Sequence, residues 1–429
     1  MKDNIDFPID GRGKHRNRPH TVPNSVRALI RSHIGSFPKQ LSHYSRKKSE
    51  KECLSPVLSL SKMYRLFTEL HPDVKASKIL YNKVFVKDFN LHFGLPHLDT
   101  CKYCDSLYVK LISAESEEER RDIQTQSDLH HSKADQAYKT LKKDTLTAQR
   151  NKNIIILCVD LQQVLFCPNL THSSVFYQRQ LSNYNFAIHD MGTGEVTMCV
   201  WHECQAKRGS TEISSCILKY LLDRFSVLQS GEERKLVIWS DQCTGQNNNW
   251  RMLNLYGLLV QSRFFSEINK KCLCSGHSFL PCDRDFALIE RKRKTANALV
   301  LVDWKYVIAE ARLNKPFIVI EMQQKDFKNF KPVEKALVKN TNLKITGAMW
   351  LKMTSDDPSH VYVRSSHNIL RPGVFSNFME EKSTRLQCAI CLSCTAIMSV
   401  SEEKRKDLVD MCEYLAPDKK AFYQNLLNF

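Results

Sequence analysis

Two short apolar runs, each delivering an aspartate, constrain this chain more than any other feature. Ile154-Ile155-Ile156-Leu157-Cys158-Val159 leads into Asp160, and Leu236-Val237-Ile238-Trp239 leads into Ser240-Asp241. Runs of this length and β-branched content read as strands covered on both faces, the condition of inner strands in an α/β sheet. Open α/β sheets place their chemistry at the carboxyl ends of such strands. Acids at two of these ends point to a shared divalent-cation site, because Mg²⁺ prefers hard oxygen ligands and takes one or two carboxylates along with substrate phosphates.

The surrounding pattern gives the order of elements. After strand 154–160, Val175 to His189 reads as a second strand, Gly192-Thr193-Gly194 as a turn, and Glu195 to Glu203 as the returning strand of a hairpin. Ser210 or Thr211 can cap a helix to about Phe225, whose Ile213, Ile217, Leu218, Leu221 and Leu222 share one face. Strand 235–240 follows, then a helix from about Asn248 to Val260, a short strand near Lys271 to Ser275 and a helix beginning near Asp285. The expected order, β-β-β-α-β-α-β-α, is that of the ribonuclease H-like fold, whose active carboxylates lie on the first strand, the fourth strand and the last helix. The fold expected is therefore α/β, a ribonuclease H-like mixed sheet flanked by helices, with a helical N-terminal region and a zinc knuckle.

Asp283 and Glu290 compete for the place of third acid. They are seven residues apart, so on one helix they share a face, with Asp283 near the positively polarised start; Asp285 is a weaker third option. Three such acids fit the two-metal mechanism of phosphoryl transfer, in which Mg²⁺ or Mn²⁺ ions activate the attacking oxygen and stabilise the leaving one. His277 can position or protonate a leaving oxygen, or can serve as a cap or a core histidine. Gln246, Asn247 and Asn249 carry amides that can donate to phosphate or fix a helix start. Arg291-Lys292-Arg293-Lys294 follows Glu290 directly and would hold a nucleic-acid backbone against the site, although such a run is often only a solvated face.

Charge supports a polyanionic partner. Lys and Arg number 63 against 46 Asp and Glu, a net charge of +17, and each phosphate neutralised releases counterions. No apolar run approaches membrane-spanning length and Met1 to Asp10 lacks a signal-peptide layout, so neither membrane insertion nor secretion is expected. The 16 cysteines then read as thiols or metal ligands rather than a disulfide framework. Cys101-x2-Cys104, followed by a charged helical stretch from Leu111 to about Gln149 bearing His130 and His131, has the ligand types of structural Zn²⁺. His92, His97 and Cys53 are candidates for a fourth ligand. A second zinc set, Cys388, Cys391, Cys394 and Cys412, lies near the C-terminus, before or within a final helix from Glu402 to Leu415.

Composition divides the chain into a basic lead-in (1–59), a helical region with the knuckle (60–150), the catalytic core (151–300) and a mixed region (301–429), where Phe317 to Met322, Thr346 to Met353 and Val361 to Ser365 read as strands. Within the second, Ser61 to Leu70 and Ser77 to Phe89 form a helical pair broken at Pro72, the layout of a helix-turn-helix DNA reader and equally of ordinary packing.

Several blocks occur in a fixed order: Asp10-Gly11-Arg12-Gly13-Lys14-His15, His33-Ile34-x2-Phe37-Pro38, Ser42-His43-Tyr44-Ser45-Arg46, Asp99-Thr100-Cys101-x2-Cys104-Asp105, Asp241-x-Cys243-x-Gly245-Gln246-Asn247-x-Asn249, and Gly276-His277-Ser278 with Asp283 and Ile289-Glu290. With them the chain, over about residues 10 to 425, resembles a large family of transposase-derived proteins of animal genomes. The resemblance implies a DDE-type transposase and integrase core, with Asp160, Asp241 and either Asp283 or Glu290 as metal-binding acids, and a zinc-bearing N-terminal region. The function expected is metal-dependent cutting or joining of DNA in the nucleus, in a protein that can self-associate. The alternative is a domesticated DNA-binding or chromatin-associated scaffold with an inactive core.

Overall fold

The structure, a computed structural model, describes residues 22–37, 39–41, 52–55, 58–93, 101–172, 175, 177–331, 334, 343–368, 373–377 and 398–427. It divides into two units, 1–105 and 106–429. Segments on either side of residue 151, and of residue 301, contribute to common cores.

In the first unit, helices α1 (Asn24–Gly35), α2 (Leu60–Leu70) and α3 (Lys78–Asp88) enclose Ile30, Ile34, Met63, Phe67, Tyr81 and Val84. Ser59 and Ser77 cap α2 and α3 by accepting from backbone N–H groups three residues on. Three short strands, β1 (Lys39–Leu41), β2 (Glu52–Leu54) and β3 (Leu91–Phe93), make a small sheet in that order.

The second unit begins within α4 (Lys102–Ser113), a helix that the division cuts after its first turn. Helix α5 (Glu117–Arg150) is started by Ser116, whose Oγ accepts from Glu119 N, by Glu119 Oε2 accepting from Glu115 N just before the cap, and by three glutamates at its positive end. The sheet strands are β4 (Ile154–Leu161), β5 (Leu165–Cys167), β6 (Leu181–Asp190), β7 (Val196–His202), β8 (Lys235–Ser240), β9 (Glu267–Cys272), β10 (Ile318–Glu321), β11 (Trp350–Thr354), β12 (His360–Arg364) and β13 (Val374–Asn377). Their order is β10-β7-β6-β4-β8-β9-β11-β12-β13, with β5 paired to β6. Strands β4, β8 and β9 run parallel; β6 is antiparallel to both β4 and β7; β10 joins β7 in parallel, and β11 to β13 continue antiparallel from β9. Residues 301–429 therefore extend the sheet at both edges.

Both faces are covered. Alternate residues Ile155, Leu157, Val159, Leu236 and Ile238 face α6 (Ser210–Arg224) and α7 (Trp250–Gln261). Their neighbours Ile156, Cys158, Val237 and Trp239 face α5, α8 (Pro281–Arg293), α9 (Leu301–Ala309), α10 (Glu402–Met411) and α11 (Pro417–Leu427). This double burial is why β4 and β8 read as unbroken apolar runs. Three boundaries differ from expectation. The second strand starts at Leu181 and not at Val175, β9 starts at Glu267 rather than 271, and the last helix of the core starts at Pro281. In addition, the C-terminal helix expected over 402–415 ends at Met411, a 3-10 turn spans Cys412–Tyr414, and a further helix, α11, follows it. No helix among the described residues is long and apolar enough to cross a membrane.

Candidate functional site

Strand alternation aims both acids at one face. In β4, Asp160 continues the series Ile156, Cys158; after β8, Asp241 continues Val237, Trp239. The two strands pair in parallel as far as Cys158 opposite Trp239, a register that, carried two residues on, leads Asp160 towards Asp241. Helix α8 lies on this face and starts with Pro281 at its first position, where the missing N–H costs nothing. Asp283 sits in that first turn and accepts from Leu280 N at 2.6 Å through Oδ2.

Asp160 feels the charges of the other two aspartates. Asp160 is pushed up to about 8, first by burial and then by the nearby charges of Asp241 and Asp283, against a weaker opposing hydrogen bond from Leu161 N. Glu290 is absent from that set of neighbours; it accepts from Gln162 Nε2 at 2.9 Å and from Arg293 at 3.2 Å. Asp285 is buried in a salt bridge to His189 at 2.6 Å, with Arg312 at 3.6 Å. Of the acids on α8, Asp283 is the one that acts electrostatically on Asp160.

The loop after β8 is tied to its acid. Asp241 Oδ1 accepts from Asn247 Nδ2 at 2.7 Å and from Cys243 N at 3.2 Å. Asn247 is buried, whereas Gln246 is half-buried and its backbone N–H goes to Cys243 O. Asn249 caps α7, accepting from Arg251 N and Met252 N. Of the basic run, Lys292 pairs with Glu310 at 2.9 Å and Arg293 with Glu290, while Arg291 and Lys294 are exposed. Behind Asp241, Ser240 Oγ donates to the Asp241 carbonyl and itself accepts from the buried Lys270 ammonium.

His277 lies elsewhere. Gly276, at φ +76, turns the chain so that His277 N donates to Cys274 O, and Tyr138 of α5 fixes the turn by donating to His277 O and accepting from Phe279 N. Its imidazole joins Cys101 and Cys104, on the first turn of α4, and His130 of α5; one ligand atom from each lies within 4.8 Å of all the others. Among the described residues this is the only set of three or more such side chains at that spacing; the three aspartates do not meet it. His131 is outside the set, its ring 5.8 Å from that of His277. His130 is held below the usual histidine range, first by burial and then by His131 and Lys133, which favours the neutral form that binds metal. Cys388, Cys391 and Cys394 lie outside the described residues, as does His97; Cys412 is buried among apolar side chains, and burial pushes its thiol up to about 11.

Sequence reasoning did not find Gln162 or the grip of Asn247 on Asp241. A polar residue two places after a strand acid was the available signal for the first. An asparagine run that exceeds what one helix cap needs was the signal for the second.

Residues 187–367 match a family model described as a domain of unknown function (DUF7869). The matched segment contains Asp241, His277 and Asp283 and starts after β4, so Asp160 lies outside it. No curated protein and no solved structure matches the chain.

Proposed function

We propose that residues 106–429 carry a ribonuclease H-like core of the DDE transposase type, which holds Mg²⁺ or Mn²⁺ on Asp160, Asp241 and Asp283 and transfers phosphoryl groups on DNA. The observation that carries the reading is the electrostatic crowding of these three carboxylates at two parallel strand ends and a helix start. Crowding of this kind costs stability unless cations offset it. A site drawing on the first and fourth strands also needs those strands to be neighbours, and β4 and β8 are.

Divalent ions supply Lewis-acid stabilisation of the attacking and leaving oxygens. The chain's part is to fix the acids. Asp241 is turned by Asn247 and Cys243 N, Asp283 by Leu280 N and Asp160 by Leu161 N, so each carboxylate keeps one oxygen engaged by the protein. Exposed Arg291 and Lys294, on the helix that carries Asp283, would hold the phosphate backbone, and the +17 charge would add sequence-independent affinity. Nicking of supercoiled plasmid in Mg²⁺ or Mn²⁺ tests this: the wild type should cut, and Asp241→Asn should bind DNA without cutting it. A wild type that binds DNA and cuts with neither ion would support the inactive-scaffold reading instead.

We also propose that Cys101, Cys104, His130 and His277 bind a structural Zn²⁺, which removes His277 from the catalytic group. Two thiolates and two neutral imidazoles make a full tetrahedral set and neutralise the ion. Metal analysis should find one zinc per chain in the wild type and in His131→Gln, and a loss in His277→Gln. Equal zinc in all three would reject the ligand set.

A further inference from the structure

We propose that Asn247 is a positioning residue of the acid site, its amide nitrogen clamping Asp241 while the amide oxygen would accept a hydrogen bond from a water of the hydrated cation. This rests on the acid-site reading and adds to it a residue that the three-acid scheme does not contain.

Asn247 is only 1% exposed, yet it is not part of an apolar core. Its Nδ2 donates to Asp241 Oδ1 at 2.7 Å. The oxygen of the same planar amide, Asn247 Oδ1, is buried and has no hydrogen-bond partner. Rotating the amide would bring two acceptors together at Asp241, so the orientation is fixed by chemistry as well as by packing. The backbone holds the side chain there: Asn247 N and Asn248 N both donate to Cys243 O, at 2.8 and 3.0 Å, and Asn248 Nδ2 reaches Thr346 O at 3.1 Å. The loop thus presents one satisfied donor to a carboxylate and, at the other end of the same amide, one unsatisfied acceptor.

An unpaired buried acceptor calls for a physical reason. Here the reason is the ion. Mg²⁺ gives up its waters reluctantly, so a site built on a few carboxylates leaves metal-bound waters whose hydrogens need acceptors. An amide that orients the ligand with one end and receives such a water with the other acts on the cation without touching it. Groups that hold a metal's ligands in this way commonly govern affinity by about 10- to 100-fold.

Calorimetric titration of Mn²⁺ into the full chain tests the proposal, using the wild type, Asn247→Ala, Asn247→Asp and Asp241→Asn, with thermal melts in chelator as a check on folding. Asn247→Ala should bind Mn²⁺ about 10- to 100-fold more weakly than the wild type. Asn247→Asp keeps the side-chain size but sets a carboxylate against Asp241, so a proton must be shared until metal displaces it. Its Mn²⁺ affinity should therefore climb more steeply with pH than that of the wild type, a response that loss of packing alone would not produce. If Asn247→Ala does not fold, the pH dependence of Asn247→Asp decides. Wild-type binding that both Asn247 variants match, with the same pH dependence, overturns this inference and leaves the acid site standing. A wild type that binds no more Mn²⁺ than Asp241→Asn overturns both.

Discussion

Asp160 shows how much a single residue reports. Its carboxyl has an ordinary value near 3.8 and stands at about 8 in the folded chain, raised by burial first and by Asp241 and Asp283 next. Between those values the folded state holds a proton that the unfolded state has released. The associated stability is complete below about pH 4 and is lost as the pH rises to about 8. Asp160→Asn removes this dependence, so without metal the variant should melt above the wild type at pH 8, by on the order of 5 °C, and the gap should close toward pH 5. Mg²⁺ or Mn²⁺ should raise the wild type alone. Melting curves with a parallel slope in both proteins would contradict the crowding. The third acid is equally open to test: Asp283→Asn should lower DNA cleavage by roughly 100-fold or more, the scale of losing one transition-state stabiliser, while Glu290→Gln should cost far less. A reversed order in single-turnover rates would give the role to Glu290, the other of the two positions that the sequence left open.

Elements were legible where local chemistry matched their final setting. Strands β4 and β8 are apolar on both faces because helices cover both, and Asn249 announces α7 as its cap. Strand β9 was misplaced because it buries Asn269, Lys270 and Lys271. Lys271 is accommodated by Asp144 at 2.8 Å and by the Trp350 ring at 4.3 Å, and Lys270 by Ser240, all partners that no local pattern predicts. Helix α8 carried its own start signal, Pro281 with an acid two residues on, but the expected start near Asp285 ignored it. The cations at the far end of α8 differ in their pairing. Arg291→Ala and Lys294→Ala should each lower the salt dependence of DNA binding by about one counterion, whereas Lys292→Ala and Arg293→Ala, whose charges are spent on Glu310 and Glu290, should change it less. Binding isotherms over a salt series measure the slopes. Equal slopes for all four variants would remove α8 from the interface.

At the scale of the whole chain, the division at 105/106 and the single large sheet were not legible, because strand pairing between β7 and β10, or β9 and β11, joins segments far apart in sequence. The assembly of His277 with Cys101, Cys104 and His130 was hidden for the same reason, although the two cysteines and the histidine helix were visible. The central claim, that three aspartates at two strand ends and a helix start form a divalent-cation site, is tested most directly by anomalous X-ray scattering from a crystal soaked in Mn²⁺. Manganese density among Asp160, Asp241 and Asp283, absent from Asp241→Asn, is the result predicted. A well-occupied crystal with no manganese at these three side chains would contradict it.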